Sequence, residues 1–185
     1  MDGGRPTVVG MRWERLFADM EAQVAAMHRA ELRALAADLV RAERAAVALS
    51  DRLRASIGHH LRLRLRGGSL VIGTLVDAAP EWLLLADGPV RRMLVPSAAL
   101  VAVHGAGGQV APPAGRVEGR LGLGHALRAL ARDRVPVSVE TSAGSLTGRI
   151  ERVGADHLDL VDGGQAAGAS AWSVPFGAVL AVRSS

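Results

Sequence analysis

The sequence predicts an α+β protein in which a long N-terminal α-helix precedes two small β-barrels, each introduced by a short helix. Two observations carry this reading. Residues 11–57 hold neither Gly nor Pro and lie between Gly10 and Gly58, and helix interiors tolerate neither residue well. After that run, one pattern is written twice, from Leu61 to Val103 and from Val135 to Val182. Gly73 answers Gly148, Leu75 answers Ile150, Leu83 and Leu85 answer Leu158 and Leu160, and Val95-Pro96 answers Val174-Pro175. An internal repeat outranks local motifs as a sign of architecture. The expected division is a disordered N-terminus over 1–10, a long helix over 11–57, a first barrel over 58–104, a flexible linker over 105–119, and a short helix plus second barrel over 120–185.

Within the helical run, apolar residues fall at Trp13, Leu16, Met20, Val24 and Met27, then at Leu32, Leu35 and Leu39. The second series continues through Ala42, Ala46, Leu49 and Leu53 in steps of three and four, the spacing of a coiled-coil seam. The step of five from Met27 to Leu32 slips its phase. Unbroken, such a helix is about 70 Å long, too long for one small barrel to cover. Its stripe is therefore expected to dock a partner or a second copy. Ser50, a favoured N-cap residue, marks a separate short helix over 51–57 as a further option.

In the first unit, Leu61, Leu63 and Leu65 alternate with Arg62, Arg64 and Arg66, the period-two sign of a strand with one buried face and one basic face. Gly67-Gly68 and Ala143-Gly144 read as hairpin turns. Gly73 and Gly148 stand inside strands, where a sharp bend or a close backbone approach needs glycine. Pro96 and Pro175 each introduce a small-residue segment read as a single 3₁₀ turn before a final Val-rich strand. Residues 105–119 are rich in Gly, Ala and Pro and poor in large apolar residues, which reads as a linker.

This order of short helix, strand, glycine-bearing bent strand, acidic turn, third strand, then a Val-Pro turn and closing strand resembles the Sm-like group of small β-barrels. SH3-like barrels share much of it, and the whole layout is similar to a family from GC-rich actinobacteria. The residues that carry the resemblance are Gly73, Leu75, Leu83, Val95 and Pro96, and in the second unit Gly148, Ile150, Asp156, Leu158, Val174 and Pro175. The resemblance implies the fold and, in the Sm-like group, RNA binding through a signature that includes an Asn just after the acidic turn. This chain contains no Asn, so those RNA-binding residues are not carried over.

The chain has no Cys, which removes disulfides, thiolate metal sites and a cysteine nucleophile. No apolar run nears the roughly 20 residues that span a bilayer, and residues 1–10 lack the apolar core of a signal peptide. The expectation is a cytoplasmic protein with no membrane association. The chain contains no Lys, so its basic residues are all Arg, and Asn and Tyr are also missing. That bias accompanies GC-rich coding and accounts for part of the high isoelectric point. The charge is uneven: residues 135–185 hold three Arg against five acidic residues, a poor match for a phosphate backbone.

The basic strand is the most suggestive local feature. On a strand, Arg62, Arg64 and Arg66 project at about 6.6 Å intervals, a geometry that meets successive phosphates, and Arg91 and Arg92 would extend the patch if the hairpin brings them near. Charges on an exposed strand also keep an edge soluble, which is the competing reading. Few aromatic residues are available to stack on bases. No P-loop, nucleophile elbow or paired catalytic carboxylates are present, the His residues lack metal-ligand spacing, and no cofactor is implied. The sequence therefore reads as a non-enzymatic assembly or adaptor protein. Its expected partner is another protein or a second copy, giving a dimer or higher oligomer, with strand addition at an open edge as a further mode. The alternative is an RNA-binding or regulatory protein acting through the basic strand and Arg116, Arg120, Arg128, Arg132 and Arg134.

Overall fold

A computed structural model describes residues 8–112, 122–161 and 171–184, and side chains within the first helix from Arg15 onward except that of Arg44. The chain divides into two compact units, Met1–Val47 and Ala48–Ser185. The first contains α1 (Val8–Ala45), one continuous 38-residue helix. It begins three residues before the expected boundary, so residues 8–10 of the segment expected to be disordered are helical, and Gly10 lies in the first turn rather than outside it. The phase slip at Met27 does not break the helix.

The helical run does end earlier than expected. A second helix, α2 (Leu49–Arg54), follows a short break, and Ala48, not Ser50, is its extended N-cap residue. Leu53 is the buried residue of α2 and joins the core of the unit that follows.

The second unit is built on antiparallel strands: β1 (His60–Leu65), β2 (Leu70–Ala79), β3 (Trp82–Asp87), β4 (Arg91–Pro96), β5 (Leu100–His104), then α3 (Leu123–Arg132), β6 (Val137–Thr141), β7 (Gly144–Val153), β8 (His157–Val161), β9 (Trp172–Pro175) and β10 (Val179–Ser184). The alternation in β1 is as expected, with its three Leu buried and its two intervening Arg exposed. Each such Leu contributes about 1.5–3 kcal/mol relative to exposure. Single 3₁₀ turns stand at Ser97–Ala99 and Phe176–Ala178, entered through Pro96 and Pro175.

The strands pair in the order β5-β1-β2-β3-β4-β10-β6-β7-β8-β9. The order is one five-strand series used twice, fifth-first-second-third-fourth, with the fourth strand of the first series paired to the fifth of the second. Among the described residues neither series closes on itself: the sheet is a single open run of ten strands, where two separate closed barrels were expected. Gly73 and Gly148 hold matching places. A Cβ on Gly73 would lie 2.6 Å from the Ala86 carbonyl oxygen, and one on Gly148 would collide with the Val161 carbonyl, so the neighbouring strand passes too close for any side chain. The turns match as well, since Ser97 N–H donates to the Glu81 carbonyl at 2.8 Å and Phe176 N–H to the Asp156 carbonyl at 2.7 Å.

The two halves interlock. The first core holds Leu61, Leu63, Leu75, Leu83 and Val95 and also takes in Leu180 and Ala181 from β10. The second holds Val137, Val139, Ile150, Leu158 and Val174 and takes in Ala79, Trp82 and Leu94 from the first half. Two polar ties cross the same junction: Glu81 Oε2 accepts the Leu123 N–H at the start of α3 at 2.8 Å, and Arg66 Nη2 donates to the Gly177 carbonyl at 2.9 Å.

Part of the segment expected to be a linker is pinned. Arg52 donates to the Gly107 carbonyl from Nε and Nη2, Gly107 N–H donates to Ser56 Oγ at 3.2 Å, Ala111 N–H donates to the Asp51 carbonyl at 3.1 Å, and Arg54 donates to the Pro112 carbonyl. Residues 113–119 of that segment lie outside the described residues.

Candidate functional site

Helix α1 carries the first candidate surface. Leu16, Phe17, Met20, Val24, Met27, Leu32, Leu35, Leu39 and Val40 are all exposed, between 44% and 63% of their surface. Soluble chains rarely leave so many large apolar side chains along one element without a partner. At 3.6 residues per turn, Leu16, Met20, Val24 and Met27 share one face, while Leu32, Leu35 and Leu39 face roughly a quarter-turn away. Because α1 is continuous, the five-residue step rotates the stripe instead of ending it. The side chain of Trp13, the remaining residue of the expected stripe, lies outside the described residues.

Strand β1 carries the second. Arg62 and Arg64 project from its outward face, and neither guanidinium bonds to any described residue. Arg62 pairs in register with Ile72 on one side and His104 on the other, and Arg64 with Leu70 and Ala102. Leu70 and Ile72 are themselves exposed, so the two arginines sit in a mixed basic and apolar face, not in a uniformly basic track. Arg66 departs from the expected ladder of three. Its guanidinium reaches the Gly177 carbonyl, and its backbone N–H donates to the Ala99 carbonyl, which fixes it as a tie between the halves.

Arg91 and Arg92 do not extend this face, because β2 and β3 stand between β1 and β4. They line instead a hollow of ≈ 460 Å³ at the β4·β10 junction, with Asp87, Met93, Arg183 and Ser184. Arg92 Nη1 is turned onto the carbonyls of Gly88, Pro89 and Arg91, capping the β3–β4 turn. Arg183 Nη1 lies 2.7 Å from Glu140 Oε2. Most of the positive charge at the hollow is thus answered by acceptors within the protein. Of the other arginines in the RNA alternative, Arg116 and Arg120 lie outside the described residues, Arg128 and Arg132 stand on α3, and Arg134 follows it.

A cluster of polar side chains stands at the β8–β9 pair. Asp159 is buried on β8, where it accepts from Ser173 Oγ at 2.7 Å and from Arg152 Nε at 2.9 Å. These two hydrogen bonds, Ser173 first, hold its carboxyl below the usual carboxylate range. Asp156 is held low chiefly by its hydrogen bond with His157, whose Nδ1 lies 2.8 Å from Oδ1. An ionised Asp159 is a structural anchor, since both of its oxygens accept from neighbouring strands, Oδ1 from Ser173 and Oδ2 from Arg152. Among the described residues, no three or more His, Cys, Asp or Glu side chains converge as metal ligands would.

The residues that sequence reasoning did not single out are Arg183, which lines the same hollow as Arg92 only because β10 crosses to β4, and Val101, an exposed apolar side chain of an outermost strand. Their signal is the strand order, which no local motif encodes. In comparison with known proteins, the chain matches no protein-family model and no curated protein.

Proposed function

We propose that this chain is a non-enzymatic assembly or adaptor protein, in which α1 mediates self-association and the strand surfaces of two Sm-like or SH3-like units engage protein partners. The observation that carries the reading is the run of exposed large apolar side chains along α1. Burying that stripe in a helix pair works against the association cost through several large apolar side chains, each contributing on the order of 1 kcal/mol because about half of its surface remains to be covered. The bland reading of the basic strand gains support from the dispersal of its arginines: Arg66 is engaged, and Arg91 and Arg92 lie at another junction.

The test is the mass in solution of the native chain beside Leu35→Glu/Leu39→Glu, measured by light scattering. The native chain is expected as a dimer or larger, and the variant is expected to lose the helix-mediated part of that mass with its far-UV β signal intact. An unchanged mass removes α1 from self-association. The competing reading, RNA on the β1 face, rests on the exposed Arg62 and Arg64, whose guanidinium groups bond to no described residue. Anisotropy titration of short labelled RNA addresses it: tight binding near physiological salt that Arg62→Ala/Arg64→Ala abolishes would move the function to nucleic acid.

A further inference from the structure

Six large apolar side chains mark the length of α1: Met20, Val24, Met27, Leu32, Leu35 and Leu39, each between 53% and 63% exposed. Successive members stand four, three, five, three and four residues apart. The series reads the same in either direction about a point midway between Arg29 and Ala30. The five-residue step, an interruption to a heptad seam, is the centre of that symmetry.

A reversed copy of α1 laid against the first therefore meets it layer by layer. Met20 faces Leu39 of the second copy, Val24 faces Leu35 and Met27 faces Leu32, and each pairing occurs twice. Such reciprocity is what a two-fold interface demands, because residue i then touches j and j touches i. The handedness follows from the same spacing. The stripe repeats at about 3.8 residues per turn, more than the 3.6 of the helix, so it winds right-handed. Two such helices cross in the right-handed class set by i±4 ridges, and do not coil left-handed along a heptad seam.

The centre adds complementary charge. His28 and Glu31 lie inside the five-residue step and on the face of the stripe, with His28 Nδ1 3.9 Å from Glu31 Oε2 within one helix. In the reversed register each His28 faces Glu31 of the second copy. A parallel, in-register pair would set Glu31 against Glu31 and His28 against His28. Polar groups at a seam fix register and orientation, since only one alignment gives each its partner.

We infer that α1 pairs with α1 of a second copy, antiparallel, about a two-fold axis through the middle of the five-residue step. The C-terminal ends of the two helices then lie about 45 Å apart, and the chains continue from opposite ends of the pair. This inference rests on the self-association reading and names its partner segment and its geometry.

The chain has no native Cys, so introduced cysteines report on the pairing. The full-length Val24→Cys and Leu35→Cys proteins are oxidised alone and as an equimolar mixture. Separately, Ala45→Cys, beyond the stripe, carries a spin label for distance measurement. Neither variant alone is expected to cross-link, because like positions stand about 16 Å apart, beyond the reach of a disulfide. The mixture is expected to give a covalent product of two chains, and the labels at Ala45→Cys a separation of about 45 Å. Self-linking of Val24→Cys, or labels about one helix diameter apart, 10–12 Å, would mean a parallel pair and overturns the inference. A native chain that is a dimer by light scattering and loses that mass in Leu35→Glu/Leu39→Glu, yet gives no product in the mixture, overturns the register while self-association stands. A native chain at one copy overturns both.

Discussion

Asp159 shows how much a single side chain depends on its strand neighbours. It occupies the β8 position that the first half fills with Leu84, between the buried Leu158 and Leu160. A carboxylate is tolerated there because Ser173 and Arg152 supply donors from β9 and β7. Its pKa is lower folded than unfolded, so its contribution to stability is complete above the ordinary carboxylate range and is lost as falling pH protonates it through the lowered value. Urea midpoints taken between about pH 2 and pH 6 are therefore expected to fall with acid in the native chain and to fall less steeply in Asp159→Asn, which keeps the shape and removes the titration. Parallel acid profiles would detach Asp159 from acid stability. The neighbouring Asp156 shares the direction through His157 and contributes its own part of the slope.

At the scale of elements, what was legible is what side-chain periodicity writes. The Leu-Arg alternation of β1, the close-approach glycines Gly73 and Gly148 and the proline-led 3₁₀ turns each follow from residue types at fixed spacing. A separate short helix was legible from the repeat and from Ser50, but the place of the break between α1 and α2 was not, because 46–48, Ala-Val-Ala, contains no breaker and Ala48, not Ser50, takes the cap position. The docking of 105–112 was hidden for a different reason: its bonds are made by backbone groups of a Gly, Ala and Pro-rich stretch, which composition alone reads as free. Ser56 is the hinge of that docking, almost fully buried, donating to the Arg52 carbonyl at 2.8 Å and accepting from Gly107 N–H. Removing the hydroxyl leaves both partners short of a bond, and Ser56→Ala is expected to cost about 1–3 kcal/mol. Amide exchange at Gly107 and Ala111 should accelerate with it; unchanged protection there would show that Arg52 and Arg54 hold the segment by themselves.

At the scale of the whole molecule, the repeated pattern foretold two similar strand series but not that they would share cores. Which strand meets which across some ninety residues depends on backbone edges, and an edge carries no letter in the sequence. Leu180 reads as an ordinary inward residue of a last strand; it is the β4·β10 pairing that delivers it into the first half's core, against the surface of Gly67. A shared core has a thermodynamic signature. If the first core needs Leu180 and the second needs Trp82 and Leu94, neither half keeps its packing when the other opens, and residues 48–184 should unfold as one cooperative unit. Leu180→Ala removes a nearly fully buried side chain and is expected to destabilise by about 2–5 kcal/mol. The discriminating measurement is native-state amide exchange in β2 and β7, one strand from each half. Equal acceleration of both by the variant marks a single unit, because the lost packing lowers the same global opening energy. Acceleration confined to β2 would mean that the second half stays folded while the first opens, and that the inner junction is a docking contact between two domains rather than a common core.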